Sequence, residues 1–444
     1  MTATTANRFG PFWLQPGVTS GHMLTLFGGA LSTIGLLTFI ALSTPFVLTQ
    51  YLQIPQGQQG AVSGWLHTYQ EVIMLAAFGP LGVLADRIGR RAVYVAGLLC
   101  MAIGYASYSY ADNLPELFAY RFIYAVGIAA ATGMLGTIVA DYTEPRSRGI
   151  GVAATGVLNG IGVIFVAIGL GRLPQMFVER GATQDMAGHY AHLIVAGLCA
   201  LFAFWMAAGL KGGTPVAKTE RLPVRELMRS GYREAVTNPR IALSYACGFI
   251  ARSDLVLLGT YSVLWGTTTA AAQGMPAAQA LAEGRKVFAI ASVAALLWLP
   301  VMGLVIDRVN RVTGVIICMS IATAGYLGTM FIDDVLSRAA IPWLVLLGMG
   351  QISAFAGAQT LIAKEATDVT RGSVVGMFNV FGAAGILVST AVGGVLFDKV
   401  GPHAPFNLVG ALTLLLIAAA VVVRRRAPGP LSDHAVRAGP AGAA

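Results

Sequence analysis

The chain has 444 residues, of which 56% are hydrophobic and 11% charged, against roughly 25% charged residues in an average soluble domain. So little polar surface cannot cover a water-facing exterior, whereas a bilayer asks for about 20 consecutive apolar residues per crossing. The 54 glycines suit the close helix contacts of membrane bundles. A soluble globular fold is excluded, and the net charge of +9 must be read by position before any anionic partner is inferred from it.

Apolar stretches bounded by turn and charge signals predict an all-α polytopic membrane protein of twelve transmembrane helices. The first six spans fall near 23–48, 62–84, 92–112, 116–140, 149–171 and 190–210. The second six fall near 241–267, 285–306, 312–332, 341–363, 373–396 and 404–423. The opening run is too long for a signal-peptide core and lacks a small-x-small cleavage site, so it reads as a retained first helix. The organisation expected is an N-terminal half over 1–210, a basic and partly helical linker over 211–240, a C-terminal half over 241–424, and a disordered Pro/Gly/Ala-rich tail over 425–444.

With both termini cytoplasmic, most of the 29 Lys and Arg lie in cytoplasmic segments, which follows the positive-inside rule. Topology therefore accounts for the basic balance, and no nucleic-acid partner is expected. Cys100, Cys199, Cys247 and Cys318 sit far apart inside apolar runs, without zinc or redox spacing, and read as core residues.

The junction of spans 2 and 3 reads Gly82-Val83-Leu84-Ala85-Asp86-Arg87-Ile88-Gly89-Arg90-Arg91. It returns 221 residues later as Gly303-Leu304-Val305-Ile306-Asp307-Arg308-Val309-Asn310-Arg311, with Asn310 expected to take the left-handed place of Gly89. A second pair, Arg148-Gly149 opening span 5 and Arg371-Gly372 opening span 11, recurs at 223 residues. Two motif pairs at nearly one offset identify a tandem duplication of six helices.

On these motifs, and on Arg121-Phe122-Ile123-Tyr124-Ala125-Val126-Gly127 in span 4, the whole chain resembles the major facilitator superfamily of secondary transporters. The resemblance implies two pseudo-symmetric six-helix halves around a midplane site that opens alternately to either side. It also implies that Asp86 takes part in a cytoplasmic latch, with the rest of both loop motifs and with Arg148 and Arg371. Independently, Asp86 lies at a helix C-terminus, where the dipole disfavours an anion, so it needs a partner. Arg90 or Arg91 is one candidate and the N-terminus of span 11 near Gly372 another. The alternative is that the basic loops only set topology.

Charges that lipid should exclude are the sharpest functional clue. Glu71 lies about 22 Å up span 2 from the Asp86 loop, with His67 one turn away on the same face. A carboxylate near midplane is suited to exchange protons, and Glu71 is expected to couple transport to them. Arg252 and Asp254 in span 7 lie about 200° apart on the helix and cannot pair with each other. Arg121 either faces the cavity, as in proton-coupled members of the resembling family, or snorkels to the external interface. Gln351 and Gln359 in span 10, Asn159 in span 5 and Asn379 in span 11 can bind substrate or bond across helices. Trp65 and Trp265 are expected in the external aromatic belt, and His189 and His192 lack a third metal ligand.

No phosphate-cradle or His-Glu-x-x-His motif occurs, so neither an ATP-driven pump nor a zinc protease is expected. The expectation is a secondary transporter without enzyme activity, cofactor or metal, working as a monomer in a bacterial inner membrane. Its partners are a small-molecule substrate, protons and the lipid bilayer. The reading taken from the intact first loop motif, a feature common among the resembling family's drug and proton antiporters, is proton-coupled antiport, the efflux of a drug-like or metabolite substrate. Proton-coupled uptake of a small organic anion or other metabolite is the alternative.

Overall fold

A two-stranded hairpin, β1 (Arg8–Phe9) and β2 (Phe12–Trp13), opens the computed structural model, which describes residues 8–213, 224–366 and 371–427. The side chains of Val224, Arg225, Leu227, Asp254, Leu255 and Arg371 lie outside the described set, as does the tail beyond 427. The first half then contains α1 (Ser20–Gln50), α2 (Gln56–Ile88), α3 (Arg90–Tyr108), α4 (Leu114–Tyr142), α5 (Arg148–Ile168), the short α6 (Leu173–Glu179) and α7 (Gln184–Gly209). The linker contributes α8 (Val224–Thr237). The second half contains α9 (Pro239–Ala272), α10 (Ala277–Arg308), α11 (Arg311–Gly328), α12 (Ile341–Glu365), α13 (Arg371–Lys399) and α14 (Ala404–Arg426).

Eleven of the described helices are long and apolar enough to cross a membrane. The twelfth long helix, α2, is diluted by Gln56, Gln58, Gln59, His67, Gln70, Glu71, Asp86 and Arg87, so length marks it as a span more clearly than hydropathy does. Boundaries follow caps that an apolar window does not register. Asn113 accepts from Glu116 N at the start of α4, and Thr183 accepts from Met186 N to start α7 at Gln184, six residues before its apolar run. At α10 the polar turn from Ala277 to Arg285 is rich in strong helix formers and extends the span outward.

The chain packs as two compact units. The first comprises Met1–Pro55, Tyr69–Thr219 and Met275–Arg285, and the second comprises Gln56–Thr68, Glu220–Gly274 and Lys286–Ala444. Each is welded by glycines at which no side chain would fit. In the first, Gly162 of α5 lies against the Leu31 carbonyl of α1. A Cβ on Gly104 of α3 would fall 2.7 Å from that of Tyr124 in α4, and one on Gly127 of α4 would fall 2.7 Å from the Gly97 carbonyl of α3. In the second, Gly385 of α13 lies against the Phe249 carbonyl of α9. A Cβ on Gly325 of α11 would meet Leu347 Cα of α12 at 3.0 Å, and one on Gly350 of α12 would meet Ala322 Cα of α11 at 2.9 Å. The steps from 162 to 385 and from 127 to 350 are 223 residues, and that from 104 to 325 is 221, so the offsets of the loop motifs recur in the helix contacts.

Two expectations are corrected. Asn310 does not adopt the left-handed conformation of Gly89, whose φ is +96°. It sits at φ −58°, ψ 143° and caps α11, its Oδ1 accepting from Val312 N and Thr313 N, so an asparagine serves here as a helix cap. Trp265 is not part of an exposed belt. It is buried beside Phe406, with ring centroids 6.1 Å apart, whereas Trp65 is exposed.

Candidate functional site

In the first loop motif, Gly89 turns α2 into α3 with a positive φ that a side chain would strain. Arg90 pairs with Asp141 at the end of α4 and donates to Thr137 O, and Arg91 donates to Leu210 O at the end of α7 at 3.2 Å. The contacts described for these arginines thus tie α3 to α4 and α7. Asp86 is half-buried, and Arg87 and Arg148 are exposed. A Cβ on Gly82 or Gly303 would meet open space, while Arg371 falls on a side chain outside the described residues.

The second motif leads to a cluster the sequence did not announce. Asp307 is exposed with Lys364 Nζ at 3.6 Å, and Arg308 is exposed, but Arg311 donates to Lys364 O at 2.7 Å and to Glu365 at 3.4 Å. Glu365, with a side chain only 4% exposed, also accepts from Arg240 Nε at 2.8 Å and Asn238 Nδ2 at 3.3 Å. One buried carboxylate therefore joins the start of α9, the start of α11 and the end of α12. Glu365→Gln removes the charge that Arg240, Arg311 and Asn238 share and should cost about 1.5–3 kcal/mol, read as a lowered Tm of the purified protein.

Deep in the first unit, Arg121 is fully buried. Snorkelling to the interface, one of its two expected placements, is therefore overturned. The guanidinium lies over the Tyr108 and Tyr124 rings at 5.8 and 5.6 Å, and Nη1 reaches the Tyr108 hydroxyl at 3.4 Å. Its Nε and Nη2 have no hydrogen-bond partner among the described residues. The cage around it is tied to α1. Tyr124 donates to Leu37 O at 2.6 Å, while Tyr105 accepts from Ile40 N at 3.1 Å and donates to Leu36 O. A hydroxyl inserted into one helical step is a recognised cause of local bending. His192 bonds Ser43 and the Gly188 carbonyl in the same interior, and His189 stacks on Tyr51 and Tyr110. Burial, then the charge of Asp185, raises the pKa of the Tyr51 hydroxyl. Glu71 is half-buried on α2. Asn159, its amide oriented to satisfy both ends, donates to Ala30 O at 2.8 Å and thus serves an α5–α1 contact.

In the second unit, Arg252 stands about 20 Å along α9 from its first residue. It is half-buried, and Nη1 donates to Asn379 Oδ1 of α13 at 2.9 Å. Gly382, one turn further along α13, leaves the space the arginine stem occupies. No carboxylate pairs with Arg252 among the described residues; the Asp254 side chain lies outside them. Gln351 of α12 is buried with Nε2 lacking a partner among the described residues, and Gln359 is exposed. His67 Nε2 meets Thr260 Oγ1 at 2.8 Å, and nearby Asp398 accepts from Gly60 N and Ala61 N at 2.9 and 2.7 Å. The structure thus brings Arg252 and Asn379 together and gives His67 a contact in α9. Among the described residues no group of three metal-ligating side chains forms.

Twelve long helices among the described residues, eleven of them apolar enough to cross a membrane, define a polytopic membrane protein, and residues 25–282 and 260–443 match the model of the Major Facilitator Superfamily. The chain belongs to that superfamily and is a multi-pass membrane transporter of small molecules. It is 28% identical to magnetosome protein MamH of Paramagnetospirillum magneticum (strain AMB-1), over 88% of this chain and 89% of that one. Magnetosome protein MamZ of Magnetospirillum gryphiswaldense is 24% identical over 84% of the chain, which spans 57% of that longer relative. The niacin transporter NiaP of Acinetobacter baylyi is 31% identical over 32% of this chain and 30% of its own. The crystal structure of the nucleoside transporter NupG superposes with a TM-score of 0.68 at 15% identity, covering 90% of this chain and 98% of that one, a likeness of fold.

Proposed function

We propose that the protein is a proton-coupled importer of a small organic anion. The observation that carries this reading is Arg252, a guanidinium in mid-span whose described bond goes to the neutral amide of Asn379. A cation at that depth is costly unless a partner or ligand offsets it. An anionic group donated to by Arg252 and by the Asn379 amide is the ligand chemistry that fits, and a cationic drug would be repelled. Arg121, in the first unit, is a buried arginine with no carboxylate partner among the described residues. The niacin transporter among the relatives is consistent with a small acid, though only part of the chain is alike.

The direction we propose is inward, and proton coupling is what makes it feasible. Against an inside-negative potential, each anionic charge entering the cell costs about 2.3 kcal/mol per 100 mV. A co-transported proton cancels that cost, whereas anion export needs no such partner. Glu71 is the proposed proton carrier and His67 its neighbour one turn away, with the loop motifs around Asp86 and Asp307 as cytoplasmic gates. The proposed setting is the bacterial inner membrane, with both termini in the cytoplasm and one chain as the working unit.

The test is a binding panel on the purified protein, comparing small aromatic and aliphatic carboxylates with cationic amphiphiles by ligand-induced rise in Tm. One or more carboxylates should stabilise the wild type, Arg252→Gln should weaken that binding at least about tenfold, close to 1.4 kcal/mol, and Arg252→Lys should lie between. Stabilisation by cations alone, unaffected at Arg252, would defeat the anion reading.

A further inference from the structure

The linker helix α8 buries one face and leaves the other bare. Its Gly231 packs so closely on α13 that a Cβ would meet Ser373 O at 2.7 Å and Met377 Cβ at 3.0 Å. Ser230 Oγ lies 3.3 Å from Ser373 Oγ, and Tyr245 of α9 donates its hydroxyl to Gly231 O at 3.0 Å. Ser373 and Met377 lie in the first two turns of a membrane span that begins at Gly372, and Tyr245 is six residues into another that begins at Pro239. These contacts set the depth of α8. It lies beside the first two turns of two spans, where hydrocarbon gives way to lipid headgroups.

At that depth the outward face carries Met228, Tyr232 and Val236, spaced four apart and 44%, 66% and 68% exposed. Successive members shift by about 40° around the helix, so the three form one apolar stripe. Arg229 and Arg233 are both exposed and follow along one edge of it, while exposed Glu226 falls beyond that basic edge. An apolar stripe edged by arginines matches the acyl boundary and the phosphates of an anionic leaflet. We propose that α8 is an interfacial helix of the cytoplasmic leaflet, with Met228, Tyr232 and Val236 sunk among acyl chains and Arg229 and Arg233 bound to anionic phospholipid headgroups. Because α8 is fastened to the cytoplasmic ends of α9 and α13, headgroup composition acts directly on the second unit. The proposal is independent of the substrate reading.

The test places a polarity-sensitive fluorophore on Met228→Cys or Val236→Cys in the full-length chain, held in nanodiscs of phosphatidylcholine with or without phosphatidylglycerol. Three of the native cysteines are buried and Cys100 is half-buried, and the unsubstituted chain reports their background. Quenching by brominated lipid should be strong at both stripe positions and weak at Glu226→Cys. Phosphatidylglycerol should roughly double it, and Arg229→Gln with Arg233→Gln should remove that gain, as should high salt. Tyr232→Cys replaces either site if a labelled variant does not fold. Stripe positions quenched no more than Glu226→Cys would overturn the proposal, as would quenching indifferent to phosphatidylglycerol and to both arginines.

Discussion

Gly385→Val should leave no folded transporter. The glycine Cα of α13 rests against the Phe249 carbonyl of α9, so an added Cβ would overlap a main-chain oxygen rather than a side chain that can turn away. Overpacking of an ordinary core costs about 1–3 kcal/mol. Here two long helices must separate, with loss of dispersion contacts along their seam, and the cost should exceed about 3 kcal/mol. The duplicate position, Gly162 against the Leu31 carbonyl, should behave alike in the first unit. Gly376→Ala is the control on α13 itself, because a Cβ there meets nothing within 4 Å and helix propensity favours alanine by about 1 kcal/mol. Size-exclusion profiles and Tm in detergent separate the outcomes. A monodisperse Gly385→Val protein with the parental Tm would contradict the close packing of α9 and α13.

Arg121→Met should separate stability from transport. The guanidinium gains cation–π contacts worth about 0.5–2 kcal/mol and one long hydrogen bond to Tyr108, while two of its nitrogens are buried without partners among the described residues. Desolvating an ion costs several kcal/mol, so an apolar side chain of similar length should hold or raise the Tm. If the charge serves the anion, transport should fall at least about tenfold, or 1.4 kcal/mol. A lower Tm with transport intact would make Arg121 a structural residue of the tyrosine cage instead.

The helices were legible because lipid forces every backbone polar group into internal hydrogen bonds, leaving long apolar runs as a direct record of the spans. The duplication was legible because short basic loops keep the same spacing in both halves, and the glycine seams carry the same offsets. What escaped was chemistry written in ordinary residues. Tyr105, Tyr108 and Tyr124 sit within apolar runs and read as generic core, although the first two share a helix face and enclose Arg121. Glu365 carried no motif of its own, since its partners lie far off in sequence, Asn238 and Arg240 in one stretch of chain and Arg311 in another. Asn310 stood where a glycine would, and its role as a helix cap depended on a conformation that composition does not encode. Among the candidate site residues, Arg252 and Asn379 were each visible as misplaced polarity, but their contact was not. At helix ends, caps and good helix formers extended α7 and α10 beyond their apolar windows.

The most direct test of the account is flux in proteoliposomes, with an imposed acid-outside gradient and the carboxylate found in the binding panel. Wild type should accumulate the anion with proton entry. Glu71→Gln should lose gradient-driven accumulation while retaining exchange of labelled for unlabelled anion, and Arg252→Gln should lose both. Anion accumulation without proton movement, or unchanged coupling in Glu71→Gln, would contradict proton-coupled anion import, as would proton-driven exit of a cation.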